Sequence, residues 1–257
     1  MRQAHMLDLS PIGPHTVVGR ILRLPLRLVP RAAQAPILQG PLRGKKWVVG
    51  ASLHRCWLGY YEAAKQKKVT ALVRPGMTCY DIGANAGFYT LLFSSLTGAA
   101  GTVVAFEPVP ENCESIQRHL RINHMQNVIV EALALTNFDG FAGFARSDSN
   151  STGALAENGE LRVPCRRLDA CIGEDKLPRP DLLKLDVEGA EAAVLEGAAH
   201  TLRTCRPIVL VATHGERPHA ACCRLLADLD YEVRSLAGGP ADGADELVAI
   251  PRSSRPA

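Results

Sequence analysis

The sequence predicts an α/β chain with a Rossmann-like parallel sheet, and three observations carry that expectation. Short apolar stretches near residues 77–82, 102–107 and 127–135 alternate with helical stretches near 88–97 and 110–123. That alternation is the mark of βαβ units, whose strands run parallel. A glycine-rich turn, Tyr80-Asp81-Ile82-Gly83-Ala84-Asn85-Ala86-Gly87, joins the first of these strands to its helix. Two later apolar runs, at 182–187 and 207–212, are followed directly by Glu188 and by Thr213-His214. In an open α/β sheet the carboxyl ends of the strands are where ligands bind.

Composition bounds the class. At 257 residues, with 47% apolar and 21% charged, the chain suits one sizeable α/β domain. A net charge of +3 is too small to indicate a nucleic-acid partner. Eight cysteines are scattered without a C-x-x-C pair, several of them inside apolar runs. This argues against disulfides and zinc, and makes a reducing cytoplasm the expected compartment. No apolar run approaches the roughly 20 residues of a membrane span, and the N-terminus lacks the basic-then-apolar order of a signal peptide.

Taken in order, residues 1–45 form an arm of unassigned structure. Within it, residues 20–31 alternate basic and apolar side chains, a pattern compatible with a peripheral membrane contact. Pro25 and Pro30 interrupt any long helix, so an arm packed on the domain is the favoured reading. Residues 46–250 are expected to form the domain and 251–257 a frayed tail. From Trp47 to Val73 a strand and then a helix, opened by Gly59-Tyr60-Tyr61-Glu62, are expected to cover the ligand site from above.

The turn at 81–87 admits close approach of a ligand through Gly83 and Gly87. After the next strand Glu107 stands where a ribose hydroxyl pair would be read. A dinucleotide would bring a pyrophosphate, which the carboxylate of Asp81 would repel. S-adenosylmethionine (SAM) brings an ammonium and a sulfonium, which suit it. The turn therefore favours SAM over NAD, a plain strand-to-helix turn being the bland alternative. Asn112, in a Pro-initiated helix after Glu107, is expected to make a local polar contact there and is grouped with the cofactor residues.

Residues 136–160 read as an exposed loop, flanked by a hairpin of 141–146 and 161–167 and centred on Ser147-Asp148-Ser149-Asn150-Ser151-Thr152. The run at 182–187 then places Lys184, Asp186 and Glu188 two apart, on one side of the pleat. Charges in such a strand are expensive unless paired or working at the ligand end. Glu191 follows in the first helical turn, and a structural ion cluster stitching strand to helix is the alternative. His214, in Thr213-His214-Gly215 after the next strand, is either a general base or a polar packing residue. A helix near 217–229 and an antiparallel pair near 231–236 and 246–250 close the sheet.

In combination, Gly59-Tyr60-Tyr61-Glu62, YDIGANAGFYTLLF, FEPVPEN, Arg167-Leu168-Asp169 and LLKLDVEGAE with Leu195-Glu196-Gly197 resemble the FkbM family of SAM-dependent methyltransferases. The resemblance spans roughly residues 55–215. It implies the class I methyltransferase fold, a mostly parallel seven-stranded sheet with one reversed strand and helices on both faces. It also implies methyl transfer from SAM to a hydroxyl of a sugar, glycan or secondary metabolite.

Carried over, Asp81, Gly83, Asn85 and Gly87 would line the methionine part of SAM and Glu107 would hold the ribose. Asp186 and Glu188, with Lys184 beneath, would sit at the transfer mouth, Asp186 also touching the cofactor. Members tend to carry an acid two positions before the His, where this chain has Ala212. That departure puts an acid-plus-His scheme in doubt and leaves the base as His214 or Asp186. No resident metal is expected, although Asp186, Glu188 and Glu191 together would suit a hard divalent cation. A protein or nucleic-acid methyltransferase and a non-catalytic binding module are the competing classes. Only 5% aromatic residues and the near-neutral balance argue against nucleic acid. A two-fold homodimer is the default assembly.

Overall fold

The computed structural model describes residues 25–146, 153–156 and 158–252. The expected loop centre at 147–152, residues 1–24 and all but the start of the 251–257 tail lie outside the described residues.

The main sheet has seven strands. Its strands are β3 (Thr78–Ile82), β4 (Thr102–Phe106), β5 (Val128–Glu131), β10 (Leu182–Leu185), β11 (Ile208–Ala212), β12 (Tyr231–Ser235) and β13 (Glu246–Pro251). They lie in the order β12-β13-β11-β10-β3-β4-β5. The run from β11 to β5 is parallel, and β13 enters between β11 and β12 antiparallel to both. This is the mostly parallel seven-stranded sheet with one reversed strand. The order reverses between β3 and β10, so their carboxyl ends open the crevice where such sheets bind ligands.

Alternation along the strands feeds an apolar core on each face. Tyr80, Ile82, Val104, Phe106, Leu183 and Leu185 join one, and Cys79, Val103, Leu182 and Leu210 the other. The second core packs on helix α3 (Phe88–Thr97), most of whose residues are buried, because the helix lies between the sheet and an N-terminal cover. That cover comprises a short hairpin, β1 (Gln34–Pro36) with β2 (Lys46–Val48), then α1 (His54–Leu58) and α2 (Ala63–Leu72). Leu26 and Val29 pack against the same core, so the described end of the basic segment is a packed arm.

Two expectations change in detail. The stretch 127–135 is two strands: β5 ends at Glu131, and β6 (Ala134–Leu135) belongs to a separate four-stranded sheet. That sheet, ordered β6-β9-β7-β8, also holds β7 (Gly140–Arg146), β8 (Gly153–Leu155) and β9 (Leu161–Arg166). The expected hairpin is therefore part of a sheet with its own core of Val109, Ala134, Phe144, Val163 and Cys165. The remaining helices are α4 (Pro110–Ile122), α5 (Leu168–Gly173), α6 (Glu191–Gly197), α7 (Ala199–Cys205) and α8 (Glu216–Asp228). All eight cysteines are free thiols, seven of them buried. Among the described residues no helix is long and apolar enough to cross a membrane.

Candidate active site

A cavity of about 590 Å³ opens at the carboxyl ends of β3, β4, β10 and β11, roofed by residues of the cover and flanked by Phe144 and Leu155 of the second sheet. Its size falls in the range of about 300–1,000 Å³ usual for small-molecule sites. Gly83, Asn85, Glu107, Asn112, Lys184, Asp186, Glu188 and His214 all line it.

The turn after β3 is held from below. The N–H groups of Gly83 and Ala84 both donate to the Phe106 carbonyl at 3.0 Å. Gly83 has φ +75°, and a Cβ there would meet the Asp186 carbonyl oxygen at 2.0 Å. At Gly87 (φ +88°) a Cβ would meet Ile116 at 2.9 Å. The glycines are thus demanded by neighbouring protein, the exit of β10 on one side and α4 on the other.

Glu107 is buried at the end of β4. One oxygen accepts the Asn85 N–H at 2.7 Å; the other accepts from the Val109 N–H at 2.9 Å and the Asn112 amide at 3.2 Å. Burial pushes its pKa up, tempered by these three donors. A carboxylate offers about four acceptor positions, so at least one is left for a ligand hydroxyl. The local contact expected of Asn112 is present.

Asp81 departs from expectation. It does not line the cavity, and neither does Gly87. Asp81 is fully buried, accepts from Thr90 Oγ1 at 2.6 Å, and lies 3.0 Å from Lys184 Nζ, its direct neighbour in the parallel register of β3 and β10. The pair is an ion bridge between neighbouring strands of the sheet, not the strand-to-helix cluster considered as the alternative. Lys184 lies on the α3 face with its ammonium 5.2 Å from the Tyr89 ring centroid. Burial disfavours its charge, but Asp81 and then Asp186 outweigh that and raise its pKa.

The strand stops at Leu185, so Asp186 and Glu188 leave the pleat for a loop. Glu188 there has φ +52° and Gly189 φ +104°. A non-glycine residue in this region is uncommon and stores strain. The loop nevertheless brings Asp186, Glu188 and His214 together. His214 Nδ1 lies 2.8 Å from Glu191 Oε1, and Nε2 lies 3.4 Å from Glu188 and 3.8 Å from Asp186. Glu191 is wholly buried, and the same Oε1 accepts the Gly189 N–H at 2.9 Å. Burial opposes charge on His214, but the Glu191 contact and then Glu188 raise its pKa. Burial likewise opposes the Asp186 anion, yet Lys184, Lys65 and His214 hold its pKa below the usual carboxylate range.

For a divalent cation the converging trio is Asp186, Glu188 and His214, with donor atoms within 4.8 Å of one another; Glu191 is turned to the imidazole instead. The ammonium groups of Lys65 and Lys184, 3.7 and 3.8 Å from Asp186, already supply its counter-charge. The cluster is better suited to handling a proton.

Sequence reasoning missed Lys65, Glu246 and the apolar flank of Phe144 and Leu155. Glu246 starts β13 directly opposite Ala212, and its Oε1 is 2.6 Å from Lys65 Nζ. Neither residue carries a motif; strand register finds Glu246, and burial on α2 finds Lys65.

Comparison with known proteins accords with this geometry. The family model described as the methyltransferase FkbM domain matches residues 81–233. Methyltransferase 1 of Beauveria bassiana is 30% identical over 141 residues, which cover 46% of this chain and 56% of that protein. The hexuronic acid methyltransferase AglP of Haloferax volcanii is 25% identical over 141 residues, covering 54% of this chain and 57% of that one. The chain thus spans little more than half the length of these relatives. A solved structure from Clostridium thermocellum, described as a candidate rRNA methylase, shares the fold at TM-score 0.50 and 13% identity, over 77% of this chain and 97% of that one.

Proposed function

The chain belongs to the FkbM methyltransferase family, and from that premise we propose that it is a SAM-dependent O-methyltransferase acting on a hydroxyl of a sugar, glycan or secondary metabolite. The observation that carries the reading is the pairing, in one cavity, of a held ribose-type acceptor, Glu107, with the Asp186–Glu188–His214 cluster. Six acidic side chains line the cavity against three lysines and arginines. That balance suits a ligand bearing an ammonium and a sulfonium, and opposes the polyphosphate of a nucleic acid.

Glu107 is the residue to hold the ribose hydroxyls, with Gly83 and Asn85 presenting the turn beside them. Bound SAM supplies an electrophilic methyl on its sulfonium. The protein's part is alignment, which contributes about 7–11 kcal/mol in well-oriented reactions, and removal of the hydroxyl proton. His214 is the assigned base: Nδ1 is engaged by Glu191, and Nε2 faces the two carboxylates of the mouth. Asp186, held anionic by its two lysines, orients the attacking hydroxyl and stabilises the imidazolium. The similarity to a hexuronic acid methyltransferase supports a glycan acceptor.

Calorimetric titration with SAM, with NAD as control, tests the reading. SAM binding with heat lost in Glu107→Ala is expected; a wild-type protein that binds NAD and not SAM would refute it.

A further inference from the structure

We propose that Lys65 is a positioning residue of this site, clipping the cover shut over the cavity through Glu246 and Asp186 and thereby setting the affinity for SAM. The inference rests on the cofactor reading above. Lys65 and Glu246 both lie outside residues 81–233, so the family match assigns neither.

Within the cover, α2 needs such a clip. Of the ten residues of α2 only Lys65, Gln66 and Val69 are buried, and with the partly buried Leu72 just two apolar side chains anchor the helix in the core. The rest of its hold is polar. Gln66 turns back to its own segment, to the carbonyls of Gly59 and Tyr61. Of the two polar side chains Lys65 alone reaches across to the sheet. Its side chain is 5% exposed, and Nζ lies 2.6 Å from Glu246 Oε1, 3.7 Å from Asp186 Oδ2 and 3.5 Å from Glu62 Oε2. It also stands 5.4 Å from the centroid of the Tyr89 ring, and the Tyr89 hydroxyl donates to Glu62 at 2.8 Å.

One ammonium therefore joins three elements: the cover, the exit of β10 and the start of β13. A lysine buried this deeply is expensive unless its charge is matched, and removing it would leave three carboxylates with only Lys184, which already serves Asp81, beside them. Glu246 is placed for the task by register. It pairs with Ala212, two residues before His214, and both line the cavity. Because Glu62, Tyr61 and Arg55 of the cover line the same cavity, closing the cover and enclosing the ligand are one event. By reciprocity, a ligand that binds better under a closed cover must also hold that cover closed.

The test compares wild type, Lys65→Met and the milder, isosteric Glu246→Gln by amide hydrogen exchange and by SAM calorimetry. Without SAM, exchange in α2 should quicken at least tenfold in Lys65→Met and severalfold in Glu246→Gln. The SAM Kd should rise at least tenfold and about threefold respectively, and added SAM should slow exchange in α2 only where the clip is intact. Unchanged exchange in both variants overturns the clip. Faster exchange with an unchanged Kd overturns its role in positioning. If Lys65→Met does not fold, Glu246→Gln decides by the same two readouts. A wild-type protein that does not bind SAM removes the cofactor reading instead, while the exchange comparison still decides the clip.

Discussion

Acidification should loosen this protein through His119. The imidazole is wholly buried on α4 and joins the two parts that enclose the cavity. Its Nδ1 lies 2.9 Å from the Ala86 carbonyl of the glycine-rich turn, and its Nε2 accepts the Val48 N–H of the cover at 3.0 Å. The ring stacks on Trp47 at 3.9 Å between centroids. With Nε2 an acceptor and Nδ1 facing a carbonyl, the ring is the neutral Nδ1–H tautomer. Burial pushes its pKa down to about 4, with the Ala86 contact opposing only in part.

The unfolded chain titrates near the ordinary value of 6.5, so between about 4 and 6.5 it binds the extra proton. The stabilisation is complete above pH 6.5 and is lost progressively as pH falls towards 4. The loss amounts to about 2 kcal/mol at pH 5 and about 3 kcal/mol once the folded ring also titrates. In urea unfolding, the wild-type stability should fall by that amount between pH 7 and pH 5 beyond any change in His119→Gln, whose side chain cannot take up the proton. The variant itself should be weaker at pH 7 by about 1–3 kcal/mol, from a buried donor or acceptor left unpaired. Parallel changes with pH in the two proteins would refute the argument, because the shared carboxylates would then carry the whole effect.

Three further outcomes follow from the site. Asp186→Asn should lower turnover by about 10²-fold, the scale of lost acid–base assistance, while the SAM Kd moves less than threefold; equal loss of both in labelled-methyl transfer and calorimetry would make Asp186 a binding residue. Since the base must be neutral to act and the pKa of His214 is raised, kcat/KM should climb with pH through a midpoint above 6.5, and His214→Ala should remove that limb. Gly83→Ala forces a Cβ to 2.0 Å from the Asp186 carbonyl at a φ of +75°, so it should cost about 2–4 kcal/mol in a thermal melt; a melting temperature within a degree of wild type would show that the turn relaxes freely.

The sheet was legible because the chain writes it with period two: in 182–185 the residues Leu182 and Lys184 face one core, Leu183 and Leu185 the other. The motif at 80–87 was legible as a turn, and Lys184 as a charge that a buried strand must pair. What could not be read was partnership. Asp81 carries the same sequence signal whether it faces a ligand ammonium or Lys184, and only the register Lys184↔Asp81 decides between them.

The same limit explains the residues that were missed. An acid two places before His214 would have been visible in the sequence; a carboxylate brought to Ala212 from 34 residues later, by antiparallel pairing with Glu246, is not. Nor does α2 announce that one lysine ties it to the sheet, since Lys65, Lys67 and Lys68 look alike until burial separates the first from the other two. The site is therefore assembled from two kinds of residue. Those at the carboxyl ends of the parallel strands follow from local pattern. Those that enclose them, Lys65, Glu246 and His119, depend on how the cover and the last strand close over the sheet, which is tertiary packing and leaves no periodic trace. On this view the cover is as much part of the cavity as the glycine-rich turn, because His119 and Lys65 fasten it at two separate points to the elements that line it.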